Sequence, residues 1–231
     1  MKLLAFETAT EACSVAVFVD GEVRERFELA PRRHAELALP WADALLAEAG
    51  VAKSQLDAIA VGRGPGAFTG VRLAVALAQG IALALDRPVL PVSTLAALAA
   101  RAAGGNVVAA IDARMGEVYL GRFRQADGDV QALDAETVVR PDLAQAPPGD
   151  GWHGVGTGFA AAEGALVARF EGALSAVDAT ALPHAADVAR LGALAFARGE
   201  ATAPERLEPA YLRDNVALTL EQQQALRASR G

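Results

Sequence analysis

Apolar residues along the chain fall into two kinds of run: short ones that alternate like strands and longer ones with a helical period. Near the N-terminus, residues 3–6, 13–19 and 22–29 predict three strands, and the second has valines at every other position. Asp20-Gly21, between the second and third runs, is a strong signal for a two-residue hairpin turn. The chain therefore begins with three strands in succession.

A helix is predicted over residues 34–49. Leu37, Trp41 and Leu45 are spaced four apart, so they form one apolar stripe along this helix. Pro40 lies inside the pattern, so the helix either begins near it or bends there.

The next strand, residues 57–61, stops at a glycine-rich turn that runs from Gly62 to Gly70 and opens into a long helix. The turn contains four glycines and one proline, so its backbone is free to adopt positive φ and has one fixed bend. It is consistent with a phosphate cradle, a purely structural turn or the start of an interaction helix. A P-loop would need Lys-Ser or Lys-Thr after the glycines, and neither is present. Thr69 is predicted to cap the helix.

This long helix, predicted over residues 70–86, is apolar on nearly all sides. Its clearly polar residues, Arg72, Gln79 and Asp86, lie seven apart and form one narrow stripe. Such a helix is buried on more than one side, so something besides its own sheet must cover it. A membrane span is not expected, because Gln79 interrupts the apolar stretch and a span needs about 20 apolar residues.

Small residues on the same helix predict a surface for another helix. Ala76, Gly80 and Ala84 are spaced four apart, which would allow a close approach. If the helix over residues 34–49 lies beside this one on the same face, the two offer a patch suited to an equivalent helix pair. The predicted interface consists of Leu37, Trp41, Leu45, Ala76, Gly80 and Ala84.

The order of elements begins again after Gly104-Gly105-Asn106, which predicts an N-terminal, partner-binding lobe of residues 1–104 and a C-terminal lobe of residues 105–231. A short strand at 89–92 and a helix through 103, capped by Ser93 or Thr94, close the first lobe. In the second, strands are predicted at 107–111 and 117–123, a hairpin turn at 127–129, an alanine-rich helix after Gly158, and helices at 185–198 and 220–228. The glycines at 154, 156 and 158 resemble half a dinucleotide-binding motif without its GxGxxG spacing.

The composition and charge of the chain argue against several classes of function. The net charge of −7 and the pI of about 5.0 argue against a surface that grips nucleic acid by itself. A single cysteine, Cys13, excludes an internal disulfide and a cysteine-rich metal site. The N-terminal residues are too few and too soon acidic for a signal peptide, so we expect a cytoplasmic protein.

Six segments carry a family resemblance. In chain order they read FETATEACSVAVF, HAELALP, GPGAFTGVRLAVALAQGIA, PVSTLAALA, AIDARMGEVYLG and PAYLRDNVA, and they resemble the bacterial TsaB (YeaZ) proteins. The resemblance implies an α/β fold with two lobes of the acetate kinase/Hsp70/actin type (ASKHA, RNase H-like). It also implies a relationship to TsaD, the threonylcarbamoyl transferase. With TsaC, which makes threonylcarbamoyl-AMP, and the ATPase TsaE, this family installs threonylcarbamoyl on the adenosine beside the tRNA anticodon.

Departures from the enzyme relative predict a chain without catalytic residues, metal or cofactor. The relative holds its metal mainly with a helix-borne histidine pair, but Ser93-Thr94 and the four residues after it stand at that place here. The second-lobe turn, residues 113–116, carries bulky Arg and Met where a phosphate would need backbone access. Glu7 stands where related proteins usually have Asp. Only weak candidates for nucleotide contact remain: Glu7, Thr8 and Asp112.

Two other functions are weighed against a scaffold role. One is a glycoprotease-like peptidase, for which Thr8, Cys13 and Ser14 are possible nucleophiles, although no histidine motif accompanies them. The other is a degenerate nucleotide-binding enzyme of the same fold; an independent sugar or acetate kinase is disfavoured by the altered phosphate turns. We predict instead a non-catalytic subunit that binds TsaD and helps recruit TsaE. Alone it should form a homodimer through the same surface, and it should meet tRNA only indirectly, through the complex.

Overall fold

The structure, a computed structural model, describes residues 1–213. The first lobe is built on a five-stranded sheet with the strand order β3-β2-β1-β4-β5. β1 to β3 form an antiparallel meander, and β4 and β5 extend it in parallel to β1. All five predicted strands of this lobe are confirmed. Their bounds are Lys2–Glu7 (β1), Ala12–Val19 (β2), Glu22–Leu29 (β3), Ala58–Gly62 (β4) and Val89–Val92 (β5).

The second sheet repeats this arrangement. Its order is β8-β7-β6-β10-β11, with β9 paired to β7, so β6, β7, β8, β10 and β11 take the places of β1 to β5. The repeated meander with two parallel strands defines two related α/β lobes, as the restart of the pattern predicted. The bounds are Gly105–Arg114 (β6), Glu117–Ala126 (β7), Asp129–Ala132 (β8), Thr137–Val139 (β9), Trp152–Val155 (β10) and Leu174–Asp178 (β11).

Among residues 1–213, five α-helices cover the sheets: His34–Glu48 (α1), Phe68–Leu85 (α2), Thr94–Ala99 (α3), Ala165–Arg169 (α4) and Ala185–Ala197 (α5). The alanine-rich stretch after Gly158 forms 3-10 turns and only the short α4, which is less helix than expected. The predicted helix over residues 220–228 lies outside the described residues.

The lobes exchange helices. α3, from the first half of the chain, buries Leu95 and Leu98 in the same cluster as Val107 and Phe123 of the second sheet. α5, from the second half, packs against the face of the first sheet that α1 and α2 leave open. Each lobe therefore completes its core with a helix of the other half. The division at residues 104 and 105 stays a prediction.

α1 and α2 lie on the same face of the first sheet, as the interface hypothesis required. Both contribute to one core cluster with Phe6, Val15 and Ile59. α2 is long and apolar enough to cross a membrane, with a mean hydropathy of 1.7. Here one side of it packs on the sheet, and Gln79 donates hydrogen bonds to two carbonyl groups of the C-terminal segment. That the helix does not enter a membrane stays a prediction.

The predicted cap of α2 is wrong. The helix begins at Phe68 with Ala67 in the N-cap position, and no side chain accepts a hydrogen bond there. Thr69 already lies in the first turn, so its hydroxyl cannot take the capping position. The glycine-rich turn tightens into helix two residues earlier than the spacing indicated.

Candidate functional site

The glycine-rich turn is filled by the chain itself. Added Cβ atoms at Gly66 and Gly70 would lie 2.4 Å from the Ala9 carbonyl oxygen and 1.9 Å from the Thr8 carbonyl oxygen. The Ala67 N–H donates to that same Ala9 oxygen at 2.7 Å, and the Thr8 hydroxyl donates to the Gly70 carbonyl at 2.7 Å. The turn between β1 and β2 therefore occupies the space that a phosphate would need, which favours the structural interpretation of these glycines.

Glu7 is buried beneath this contact rather than presented to a ligand. Its Oε1 accepts from the Ala9 N–H at 2.7 Å, and its Oε2 accepts from the Thr94 hydroxyl at 3.0 Å. A Cβ at Gly62 would lie 1.9 Å from Oε2, so only glycine leaves room for this carboxyl. Burial raises the pKa of Glu7 to about 7, and its hydrogen bonds offset only part of that effect.

We expect the Glu7→Gln variant to gain stability relative to the wild type as the pH rises. Because the pKa of Glu7 is about 7 when folded and about 4.5 otherwise, the folded state holds its proton more tightly. Its contribution to stability is thus present below pH 4.5 and is lost as the pH rises towards 8. The difference in unfolding free energy between variant and wild type should grow by roughly 3 kcal/mol from pH 4.5 to pH 8. Urea denaturation at several pH values measures this, and a constant difference would contradict the burial of an ionisable Glu7.

Asp112 reaches an open cleft between the lobes, whereas Glu7 and Thr8 do not line it. The cleft has a volume of about 570 Å³. Its first-lobe wall is the start of α2 with the β1–β2 turn, and its second-lobe wall is the end of β6 with Tyr119. Asp112 accepts from the Arg114 N–H at 2.8 Å and pairs with the Arg114 guanidinium at 3.1 Å. Of the three nucleotide candidates, one lines the cleft, and its carboxylate is already engaged.

The second-lobe turn combines bulky side chains with left-handed backbone angles. Arg114 and Met115 adopt positive φ together with Gly116. Arg114 borders the cleft, and Met115 is 87 % exposed beside it in the chain. Within the described part of the chain, no group of three or more His, Cys, Asp or Glu side chains is arranged to hold a metal ion.

The three possible nucleophiles are buried and already bonded. Thr8 donates to Gly70, and burial raises the pKa of the Cys13 thiol to about 11, which disfavours the reactive thiolate. Ser14 is fully buried and donates to the Glu25 carboxylate at 2.6 Å. His184 bonds to Glu25 at 2.9 Å rather than to Ser14, so no histidine faces the hydroxyl.

Ser14, Glu25 and His184 have a structural role at the N-terminus of α5. The Ala185 N–H donates to the Ser14 hydroxyl and the Ala186 N–H to Glu25, each at 2.9 Å, so both side chains satisfy the N-terminus of α5. Burial raises the pKa of Glu25, but hydrogen bonds from His184, Ser14 and the Ala186 N–H outweigh it and leave the pKa below its ordinary value. These hydrogen bonds attach α5, which comes from the second half of the chain, to the first sheet.

The outer side of α2 carries the predicted small residues at its surface. Ala76, Gly80 and Ala84 are all exposed, and a Cβ added at Gly80 would have no neighbour within 4 Å outside the adjoining helix backbone. Phe68 and Leu83 on the same helix are each 53 % exposed. Neither the sheet nor any other described element covers this outer side, so an apolar stripe on α2 is left uncovered.

On α1 the structure separates the predicted stripe. Leu45 is 2 % exposed and lies in the core, because this side of the helix faces the sheet. It therefore belongs to the core rather than to an outer patch. Leu37 and Trp41 are partly buried against the same core. Leu39, which the sequence analysis did not single out, is the exposed leucine of α1.

A C-terminal segment crosses α2, and sequence reasoning missed it. The Gln79 side chain donates to the carbonyls of Pro204 and Leu207, each at 3.0 Å. Farther along, the Arg72 guanidinium stacks on Phe68 at 3.5 Å and donates to the Tyr211 hydroxyl at 2.8 Å. Two of the three polar residues of the α2 stripe thus bind the chain's own C-terminal segment.

The repeated sheets, the exchanged helices and the interlobe cleft define a two-lobe protein of the acetate kinase/Hsp70/actin class. A family model described as TsaD, tRNA N6-adenosine threonylcarbamoyltransferase, matches residues 27–220. The tRNA threonylcarbamoyladenosine biosynthesis protein TsaB of Escherichia coli K12 is 42 % identical, over 94 % of this chain and 96 % of its own. Its Haemophilus influenzae counterpart is 40 % identical, over 94 % and 95 %. The chain belongs to the bacterial TsaB (YeaZ) family.

Solved structures agree with this assignment. A Pseudomonas aeruginosa protein described as having similarity to peptidase YEAZ is 47 % identical and superposes with a TM-score of 0.85, over 92 % of this chain and 99 % of its own. A second, described as YeaZ from Pseudomonas aeruginosa, is 47 % identical with a TM-score of 0.84, over 91 % and 99 %. The two-lobe fold predicted from the sequence is confirmed.

Proposed function

We propose that this chain is a non-catalytic scaffold subunit that binds and activates the transferase TsaD. Family membership links it to the biosynthesis of N6-threonylcarbamoyladenosine, the modification found in tRNAs that read codons beginning with A. The observation that carries the scaffold role is the uncovered apolar side of α2 beside α1, on a single face of the first lobe.

The shape of this face suits a pair of helices. Small residues at Ala76, Gly80 and Ala84 leave the backbone of α2 accessible along its outer side. Two helices can then pack at the short end of the usual 8–10 Å interaxial range. Leu83 and Leu39 add exposed apolar side chains to the same lobe. A related two-lobe partner would present an equivalent helix pair and complete a four-helix contact.

The absence of a catalytic task is supported by the buried candidate groups. Thr8, Cys13 and Ser14 lack access to solvent, and the carboxylate of Asp112 is paired with Arg114. An active site would bring a nucleophile or metal together with a base in an accessible pocket. Nothing in the geometry of residues 1–213 favours a peptidase.

The resemblance to the TsaB family suggests further partners besides TsaD. The ATPase TsaE joins the complex, and tRNA meets this chain only through it, which agrees with a net charge of −7. Alone, the chain pairs with itself, because a two-fold dimer uses one patch twice. Homodimer and heterodimer then compete for the same face, in the cytoplasm.

Co-purification tests the partnership. Tagged TsaD of the same organism should retain this chain after washing, and TsaE should be retained more strongly when both are present than with either alone. Light scattering of the isolated chain should show a dimer that is lost as TsaD is added. Failure of TsaD to retain the untagged, folded chain would contradict the proposed function.

A further inference from the structure

A second pocket lies at the junction of the lobes and shares no lining residue with the interlobe cleft. It has a volume of about 550 Å³. Its walls are the residue after β4, the start of α3, the β7–β8 hairpin, the loop between β8 and β9, and the C-terminal segment. Four lining residues have polar side chains: Arg63, Ser93, Glu136 and Tyr211. The remaining lining is apolar, and its largest side chains are Phe123, Val130 and Leu212.

Arg63 and Glu136 bring opposite charges to this pocket without forming an ion pair, so the two charged groups are more than 4.0 Å apart. Among residues 1–213, the Arg63 guanidinium has no hydrogen-bond partner. The Glu136 carboxyl accepts from the Ser93 hydroxyl. Burial raises the pKa of Glu136, and neither this hydrogen bond nor the positive charge of Arg63 offsets the effect fully. Both groups can therefore still bind a ligand.

Several partly buried carboxylates elsewhere in residues 1–213 are paired directly with arginine. Asp187 pairs with Arg101 and Arg190, and Glu117 pairs with Arg213. The charged groups of this pocket are also half-buried, yet they remain apart across it. A purely structural role would bring them into contact, whereas a ligand that bridges them would give each charge a partner.

We propose that this pocket binds a zwitterion, an α-amino acid with an apolar side chain. Its carboxylate would accept from the Arg63 guanidinium, and its ammonium group would donate to the Glu136 carboxylate. Its side chain would contact the apolar lining around Val130 and Leu212. A ligand with a single charge would leave the opposite charge of the protein without a partner, so both charges of the ligand are needed.

The pocket also adjoins the C-terminal segment that crosses α2. Tyr211 lines the pocket, and its hydroxyl accepts from Arg72 of α2 at 2.8 Å. A bound amino acid would therefore contact this segment. The inference concerns the isolated chain, so it does not depend on the proposed scaffold role, and its failure would leave that role intact.

Isothermal titration calorimetry of the full chain with L-valine, L-leucine and L-phenylalanine, in turn, tests the proposal. At least one of them should bind with a Kd below about 1 mM. The amide of that amino acid lacks the carboxylate, and its deamino acid lacks the ammonium group. Each analogue should bind at least about tenfold more weakly, because one charged group of the pocket loses its partner. Absence of binding by all three amino acids, or equal binding of the analogues, would overturn the proposal.

Variants of the two charged residues assign the binding to this pocket. Arg63→Gln and Glu136→Gln should each weaken it by at least about tenfold. Glutamine at position 136 can still accept from the Ser93 hydroxyl, so the fold should be retained, which circular dichroism verifies. The matched control is Arg124→Gln, because Arg124 is exposed on β7 outside this pocket, and it should bind as the wild type does. Unchanged affinity in the folded pocket variants, or an equal loss in the control, would contradict the proposal.

Discussion

Arginine in place of Ala76 is expected to weaken the binding of TsaD by at least about a hundredfold and to abolish the homodimer. Ala76 is exposed in the isolated chain, at the middle of the α2 stripe, so the new side chain costs little in the monomer. In a close helix–helix contact the charge would be desolvated without a partner, at about 3–5 kcal/mol. Ala84→Arg, two turns farther along the same stripe, should behave in the same way.

Isothermal titration calorimetry measures the affinity, and circular dichroism verifies the fold. The matched control is Ala168→Arg, because Ala168 is also an exposed helical alanine but lies on α4 of the second lobe. It should bind TsaD as the wild type does. A folded Ala76→Arg variant with unchanged affinity would show that the partner docks elsewhere.

A second large effect is expected from Gly70→Ala, which should lower the unfolding free energy by about 3 kcal/mol or more. The added methyl would lie 1.9 Å from the Thr8 carbonyl oxygen, and a main-chain atom inside a hydrogen-bonded turn cannot move aside cheaply. The β1–β2 turn would have to separate from the start of α2. Because these two elements form one wall of the cleft, its shape would change as well.

Gly80→Ala is the matched control on the same helix. Nothing lies within 4 Å of a Cβ at Gly80, so alanine should raise the stability by about 1 kcal/mol through its helix propensity. Guanidinium denaturation of both variants, at concentrations where the chain is monomeric, gives the comparison. Equal effects of the two substitutions would mean that the glycine-rich turn is looser than the structure shows.

The strands and hairpins could be predicted because their signals are local. Alternating apolar residues and Asp-Gly turns act over a few residues, and every predicted strand of the first lobe formed. The long helix was also evident, since its length and composition leave few alternatives. Its start was misjudged by two residues because Thr69 offered a conventional cap, whereas the backbone of Ala9 accepts the Ala67 N–H there.

The exchange of helices between the lobes could not be predicted. Whether α3 covers its own sheet or the second depends on contacts between Leu95 and residues more than ten positions away, such as Phe123. A hydrophobic pattern identifies an apolar face but does not specify which sheet covers it. The same applies to Leu45, which was predicted to lie at the interface, because the apolar stripe of α1 does not show by itself that Leu45 faces the sheet.

The roles of the glycines at the candidate site could not be predicted, for a different reason. Glycines that admit a phosphate and glycines that admit other parts of the chain look alike in sequence. Here Gly66 and Gly70 admit the backbone of the β1–β2 turn, and Gly62 admits the Glu7 carboxyl group. The C-terminal segment across α2 has no periodic pattern, so its contacts with Gln79 and Arg72 gave no sequence signal. The uncovered stripe of small residues, by contrast, followed directly from a helix that was too apolar for one sheet.

Titration of this chain into a reconstituted tRNA modification reaction tests the scaffold role most directly. With TsaC, TsaD and TsaE held constant, the rate of threonylcarbamoyladenosine formation should rise with added chain and level off when chain and TsaD are equimolar. Without TsaD, no amount of the chain should yield product. A full rate at far less than one chain per TsaD, or product formed in the absence of TsaD, would show that the chain turns over as an enzyme and would contradict the account.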